Sequence, residues 1–350
     1  MPIRVLIVDD SAVMRELLAD VIQRQGDMEV VGFAADPIIA REKIKELNPD
    51  VITLNVEMRR MDGITFLEKL MRLRPTPVVM ISALTEANAT ATLHALELGA
   101  IDYVTKPAAH FQPDISEFSR EIGDKIRFAA NLKNRVARGD TVSSKKPVPI
   151  SFARPSASMG QCLICIGAST GGIDAIKQIL VQMHAESPPI VIVQHLPDLF
   201  TRAFAQRMNN LCTISVKEAE HKEKLQVGHA YITPGHSHAT VNRSVAGYTI
   251  HLNQDPPFNR HRPSVDVLFN SVAKFADAST VGILLTGMGH DGAAGLLEMK
   301  RANAFTLAQD EESCVVFGMP RSAIEKGAAV KVLPLLSMPT EIFAYLRSHG

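Results

Sequence analysis

The segment Cys162-Leu163-Ile164-Cys165-Ile166-Gly167-Ala168-Ser169-Thr170-Gly171-Gly172 reads as a buried strand that turns sharply into a helix. The apolar run has strand length. The glycine-rich turn after it lifts a serine oxygen clear of a sheet and leaves no Cβ in the way of backbone or substrate. The spacing G-x-S-x-G makes Ser169 a candidate nucleophile, while a helix N-cap is the plainer role for serine at such a place.

Two further strand-length runs end in groups that serve a serine nucleophile. Pro189-Ile190-Val191-Ile192-Val193-Gln194 ends at His195, and Val281-Gly282-Ile283-Leu284-Leu285 runs into Thr286-Gly287-Met288-Gly289-His290-Asp291-Gly292. Ligands of open α/β sheets bind outside the carboxyl ends of the strands, so three such ends converge Ser169, His195 and Asp291 on one crevice. A serine hydroxyl is a weak nucleophile at neutral pH. It needs an imidazole to take its proton and a carboxylate to orient the imidazole and stabilise its charge. Taken singly, His195 reads as a hydrogen-bonded histidine at a sheet end and Asp291 as a turn residue before glycine. The chain order Ser, His, Asp differs from that of α/β-hydrolases, chymotrypsin and subtilisin, so nothing transfers from those folds.

Composition narrows the function classes. The 350 residues are 46% hydrophobic and 21% charged, which suffices for two buried cores. Lys+Arg and Asp+Glu both number 37, so the overall charge points to neither nucleic acid nor a membrane surface. No cationic leader precedes the first apolar run, and no run approaches the roughly 18 residues of a membrane span, so a cytoplasmic protein without membrane insertion is expected. Four scattered cysteines make no disulfide framework. Cys162-x-x-Cys165 lies within a strand pattern, where positions three apart face opposite sides, and this favours core packing over metal binding. The histidines at 236, 238, 251, 261 and 290 lack the spacing of a zinc site.

Periodicity divides the chain. Val5–Val8, Val30-Val31, Val51–Leu54, Val78–Ile81 and Tyr103-Val104 alternate with amphipathic helical patterns, which predicts a (βα)5 domain over 1–125. Residues 126–160 read as the end of a helix and a linker rich in Arg, Lys, Ser and Pro, whose basic residues lack interleaved aromatics. A second, doubly wound and mostly parallel α/β domain is expected over 161–350.

In the first domain Asp9 and Asp10 end the first strand, Asn55 the third and Ser82 the fourth, and Lys106-Pro107 follow the fifth. Acids there suit a divalent cation, and a hydroxyl and an ammonium suit phosphoryl oxygens. With Val8-Asp9-Asp10-Ser11, Met61-Asp62-Gly63 and Val104-Thr105-Lys106-Pro107, this domain resembles the response-regulator receiver. Nearly the whole chain in turn resembles the chemotaxis protein-glutamate methylesterase (CheB) family. That likeness is carried by Ile166–Gly172, Gln194-His195, Arg260-His261-Arg262-Pro263-Ser264-Val265-Asp266, Leu285–Gly289 with Asp291-Gly292, and Phe317–Pro320.

The resemblance implies Ser169 as nucleophile, His195 as general base and acid, and Asp291 as orienting carboxylate. It also implies esterase and glutamine deamidase activity on methyl-accepting chemotaxis receptors, no cofactor for catalysis, and a chemotaxis histidine kinase as a further partner. Backbone N–H groups at Thr170 and Met288 are the oxyanion-hole candidates. Two departures stand out: Asn55 occupies the position of the phosphorylatable aspartate, and Arg59 that of a proline. A neutral amide forms no aspartyl phosphate, and it removes one of three carboxylates from the Mg²⁺ site of Asp9 and Asp10. The receiver is therefore expected not to be switched by phosphotransfer at Asn55. His290, beside Asp291, is assigned no role. Arg260-His261-Arg262 either contacts receptor acids or braces the domain interface.

No helix-turn-helix pattern supports a DNA-binding regulator, and the loop at Gly167 lacks the G-x-G-x-x-G of a dinucleotide-binding fold. The alternative of a different class is a catalytically inert regulatory or binding relative, against which the intact Ser169, His195 and Asp291 speak.

Overall fold

A computed structural model describes residues 1–58, 61–107, 115–137, 161–245 and 247–349. The chain splits into two compact units, Met1–Thr141 and Val142–Gly350. Arg59 and the linker stretch 138–160 lie outside the described residues.

The first unit runs β1 (Ile3–Val8), α1 (Ala12–Gln23), β2 (Met28–Ala34), α2 (Pro37–Leu47), β3 (Val51–Asn55), α3 (Gly63–Leu73), β4 (Val78–Ser82), α4 (Glu86–Glu97), β5 (Asp102–Thr105) and α5 (Ile115–Ala137). Its five strands are all parallel, in the order β2-β1-β3-β4-β5. The loops set the helix starts. Ser11, Asp36, Asp62 and Thr85 each accept a backbone N–H of the first turn that follows, where helical donors have no internal partner.

On one face of this sheet Val5, Ile7, Val51, Val79, Ile81 and Val104 pack against Leu18, Val21 and Ile22 of α1 and Phe118, Ile122 and Ile126 of α5. The spacing of two along the strands and of four along α5 is what a sheet face and a helix stripe require. Ile126, Ala129 and Ala130 belong to the same core, so the first unit extends past the expected boundary at 125.

The second unit comprises β6 (Leu163–Ala168), α6 (Gly172–Leu180), β7 (Ile190–Gln194), α7 (Asp198–Leu211), β8 (Ser215–Glu218), β9 (Glu223–Lys224), β10 (His229–Ile232), β11 (His238–Ser244), β12 (Gly247–Asn253), α8 (Val265–Ala273), β13 (Thr280–Leu284), α9 (Ala293–Arg301), β14 (Phe305–Gln309), α10 (Met319–Glu325), β15 (Lys331–Leu333) and α11 (Met338–His349). Seven strands form a wholly parallel sheet in the order β15-β14-β13-β6-β7-β10-β8.

β6, β7, β13 and β14 are buried at every position, because helices cover both faces. Cys162 and Cys165 are buried with them. Antiparallel pairing is confined to a separate sheet, β11-β12-β9. Its Val241, Tyr248 and Ile250 share a core with Leu268, Phe269 and Val272 of α8. The chain grows outward from β6 through β7 on one side and from β13 through β14 and β15 on the other. The strand order therefore reverses between β6 and β13, which is where a ligand crevice opens.

Candidate active site

The register fixes who meets whom. Ala168 pairs with Gln194 and Gly167 with Leu284, so Ser169 and His195 leave neighbouring strands at the same level and the loop after β13 rises on the other side. The His195 amide donates to the Ala168 carbonyl at 3.2 Å, and the Ser169 amide to the Thr286 carbonyl at 3.0 Å. Gly172 N–H closes the turn onto the Ser169 carbonyl at 2.7 Å. Gly171, at φ 77°, makes the turn possible: a Cβ there would lie 2.5 Å from the Val315 side chain. Ser169 is thus half-buried just before the first turn of α6, where the helix dipole and unpaired N–H groups favour negative charge.

His195 Nε2 donates to Asp291 Oδ2 at 2.9 Å, both side chains being buried. That bond places the proton on Nε2 and leaves Nδ1 with its lone pair. Nδ1 is buried without a hydrogen-bond partner among the described residues, so the Ser169 hydroxyl is not bonded to it in this conformation. An orphaned buried nitrogen is costly unless something is meant to meet it.

Asp291 is held from every side. Oδ1 accepts from Ser264 Oγ (2.8 Å), Asn259 Nδ2 (2.9 Å) and the Asp266 amide (3.3 Å), and Oδ2 accepts also from the Val265 amide (2.7 Å). Burial raises its pKa, but the His195 hydrogen bond and charge, with the bonds from Asn259 and Ser264, outweigh this and hold the carboxyl well below the usual carboxylate range. Asn259 also donates to Asp266 Oδ2 at 2.7 Å, bridging two buried carboxylates. Burial, and after it the charge of Asp291, push Asp266 up, against the pull of the Gly295 amide.

Thr170 lies in the turn after β6 and Met288 in the loop after β13. Thr170 follows Ser169 directly, and its carbonyl accepts from Thr286 Oγ1 at 3.0 Å. Met288 follows Gly287, where a Cβ would stand 2.7 Å from the Ser169 Cβ. The Gly287 carbonyl accepts the Met319 amide at 2.8 Å and its N–H donates to the Val316 carbonyl at 3.0 Å, so the Phe317–Pro320 stretch anchors this wall. His290 is exposed.

Two residues of the site carried no sequence signal of their role. Asn259 braces Asp291, and the His261 ring stacks on His195 with centroids 3.7 Å apart and planes 9° from parallel. Both sit on a loop with Asn259 and Arg260 in the left-handed region, at φ 52° and 68°, a conformation that costs arginine about 1–2 kcal/mol. Of the two arginines, Arg262 donates to the Gln254 and Asp255 carbonyls at 3.2 and 3.3 Å, bracing its own loop, while Arg260 is exposed.

The receiver pocket gathers at the strand ends of the first unit. Lys106 Nζ pairs with Asp9 Oδ2 at 2.9 Å, and the Ser11 amide donates to Asp9 Oδ1 at 2.8 Å. Asn55 is buried. Its amide nitrogen donates to Asp10 Oδ1 at 3.3 Å and to the Glu57 carbonyl. Ser82 Oγ accepts from Thr92 Oγ1 at 2.9 Å. The Asn55 nitrogen therefore points a donor at Asp10, where a third carboxylate would point an acceptor at a cation.

Residues 164–342 match the CheB methylesterase family, and residues 5–112 match the response regulator receiver domain. The chain is 56% identical to a protein-glutamate methylesterase/protein-glutamine glutaminase of Geobacter metallireducens, covering 100% of this chain and 97% of that one. It is 54% identical to one from Thiobacillus denitrificans, covering 100% and 98%. The CheB methylesterase catalytic domain of Thermotoga maritima aligns with a TM-score of 0.51 at 36% identity, over 52% of this chain and 97% of that domain. By its match over the catalytic region and by these near full-length relatives, the chain belongs to the CheB methylesterase family and carries a response-regulator receiver domain at its N-terminal end.

Proposed function

We propose that this chain is a protein-glutamate methylesterase and protein-glutamine glutaminase acting on methyl-accepting chemotaxis receptors in the cytoplasm. The observation that carries the reading is the buried His195–Asp291 bond at 2.9 Å, which leaves Nδ1 of His195 without a partner among the described residues, while Ser169 and His195 follow paired ends of adjacent strands. The relatives' names give protein-bound glutamate esters and glutamine as the groups acted on. Among the described residues no helix is long and apolar enough to cross a membrane.

In this reading Ser169 Oγ attacks the γ-carbonyl carbon of a glutamyl methyl ester while its proton passes to His195 Nδ1. The tetrahedral oxyanion lies against N–H groups of Thr170 and Met288, each worth about 3 kcal/mol where such a donor is removed from a hydrolase. As the intermediate collapses, the bond to methoxide breaks and Nδ1 returns the proton, releasing methanol. Water, deprotonated by the same nitrogen, then frees the carboxylate and Ser169. With glutamine the leaving group is ammonia. Asp291 stays ionised throughout, since its pKa is held down, and stabilises the imidazolium.

The receiver takes a different part. Asn55 offers phosphorus no nucleophile, and its amide donor at Asp10 opposes a cation. Asp9 and Asp10 therefore hold Mg²⁺ more weakly than a pocket with three carboxylates, and a histidine kinase does not switch the domain through Asn55. Purified protein incubated with methylated receptor tests the catalytic reading: wild type releases methanol and Ser169→Ala does not. Equal turnover by both would end it. Labelling by a serine-directed fluorophosphonate distinguishes an inert relative, which does not react.

A further inference from the structure

His261 has no place in the proton path, yet it covers a face of the imidazole that does. Its ring lies face to face on that of His195, with centroids 3.7 Å apart and planes 9° from parallel. A cation is attracted to the π face of a neighbouring ring, so a ring stacked this closely gains when its partner becomes an imidazolium.

The contact is built, not incidental. Phe258 and His261 exchange backbone hydrogen bonds at 3.0 and 2.9 Å, closing a tight turn. His238, buried, donates from Nε2 to the Pro256 carbonyl at 3.2 Å and accepts the Ser264 amide on Nδ1 at 3.1 Å, pinning both ends of the loop. Asn259 ties its middle to Asp291.

The charge that appears during the reaction has few other partners. When Ser169 yields its proton, the edge of His195 is fully used: Nε2–H faces Asp291, and Nδ1–H faces the leaving group. Only the ring faces remain, and His261 occupies one of them.

We propose that His261 is a positioning residue: its imidazole, stacked flat on His195, fixes the ring plane and stabilises the imidazolium formed as Ser169 attacks. The proposal rests on the reading of Ser169, His195 and Asp291 as the hydrolytic group. It assigns His261 to the proton-transfer partner and not to the receptor substrate.

The test uses the full chain with His261→Ala, His261→Leu and His261→Phe, each checked by thermal melting. Two readouts are taken: the second-order rate of Ser169 labelling by a fluorophosphonate, and kcat and KM for methanol release from methylated receptor. The Leu variant fills the volume without a π face and carries the test if the Ala variant melts early. Ala and Leu are expected to lower both kcat and the labelling rate by about tenfold with KM unchanged, and Phe to recover most of that loss. Wild-type labelling rates in the Leu variant overturn the proposal. So does a rise in KM at constant kcat, which makes His261 a substrate contact, and so does a Phe variant no better than Leu. Failure of the wild-type chain to label or to release methanol refutes the hydrolytic reading instead.

Discussion

Asp291→Asn separates charge from geometry at the site. Oδ2 accepts from the His195 ring and from the main-chain N–H of Val265 at 2.7 Å, a donor that cannot turn away. Oδ1 accepts from Ser264 Oγ, whose hydroxyl can reverse and become an acceptor, from the Asn259 side-chain amide, and from the Asp266 main-chain N–H at 3.3 Å, a longer bond than that of Val265. The amide nitrogen of an introduced asparagine therefore takes the Oδ1 side, and its oxygen stays against His195. The imidazole keeps its Nε2–H tautomer and its plane, and only the negative charge is lost. Two unit charges about 4 Å apart attract by about 4 kcal/mol at an effective dielectric constant of about 20. Since each 1.36 kcal/mol is tenfold in rate, kcat for methanol release falls by about 10³. Steady-state methanol release from methylated receptor measures this, with a thermal melt to verify the fold. A folded variant within about threefold of wild type refutes the argument that the Asp291 charge stabilises the imidazolium. A loss nearer 10⁴ shows instead that the amide has turned and reversed the tautomer.

Other perturbations bear on other links. Gly287→Ala sets a Cβ 2.3 Å from Met319 Sδ and 2.7 Å from the Ser169 Cβ, so fluorophosphonate labelling should slow by more than about tenfold and melting fall by several degrees; unchanged labelling contradicts the placement of that wall. Asn55→Asp restores the missing carboxylate, and titration should show Mg²⁺ binding tightened by roughly tenfold together with label uptake from a small phosphodonor, both weak or absent in the parent chain. Label on the parent chain, mapped to Glu57 or Asp62, would contradict the reading of an unswitched receiver.

The Asp291 carboxyl has a depressed pKa in the folded chain, so its stabilisation is present above the unfolded value near 3.9 and is lost as pH falls below it. Asp266, raised by burial and by the charge of Asp291, acts with the opposite sign. Chemical denaturation between pH 5 and pH 3 should show a loss in wild type that Asp291→Asn flattens; parallel curves contradict it.

The strand ends were legible because a wholly parallel sheet buries both faces of its strands, and continuous apolar runs such as Ile190–Val193 stand out against any helical period. Where such a run stops, the next residue lies at the crevice, so Ser169, His195, Asp9 and Lys106 could be placed by counting. The loop 254–264 follows no period. His261 meets His195 across sixty-six positions of chain, and Asn259 reaches Asp291 only because two residues take left-handed backbone that sequence does not announce. Arg260-His261-Arg262 was visible as a motif, read as a contact to receptor acids or a brace of the domain interface, but the bonds of Arg262 to its own loop depended on where the Gln254 and Asp255 carbonyls fell. The core of the first unit runs past 125 because Ile126, Ala129 and Ala130 continue the stripe begun by Phe118 and Ile122. The β11-β12-β9 sheet was likewise hidden, since its hairpin pairs through a turn without a two-residue Asn-Gly or Asp-Gly signal.

A serine, an imidazole and a carboxylate from three strand ends act as one nucleophilic unit. Mass spectrometry of the full chain after fluorophosphonate treatment tests it most directly. A single adduct is expected on Ser169, lost in Ser169→Ala and strongly slowed in His195→Ala. A wild-type chain that stays unlabelled, or one labelled equally well without His195, contradicts it.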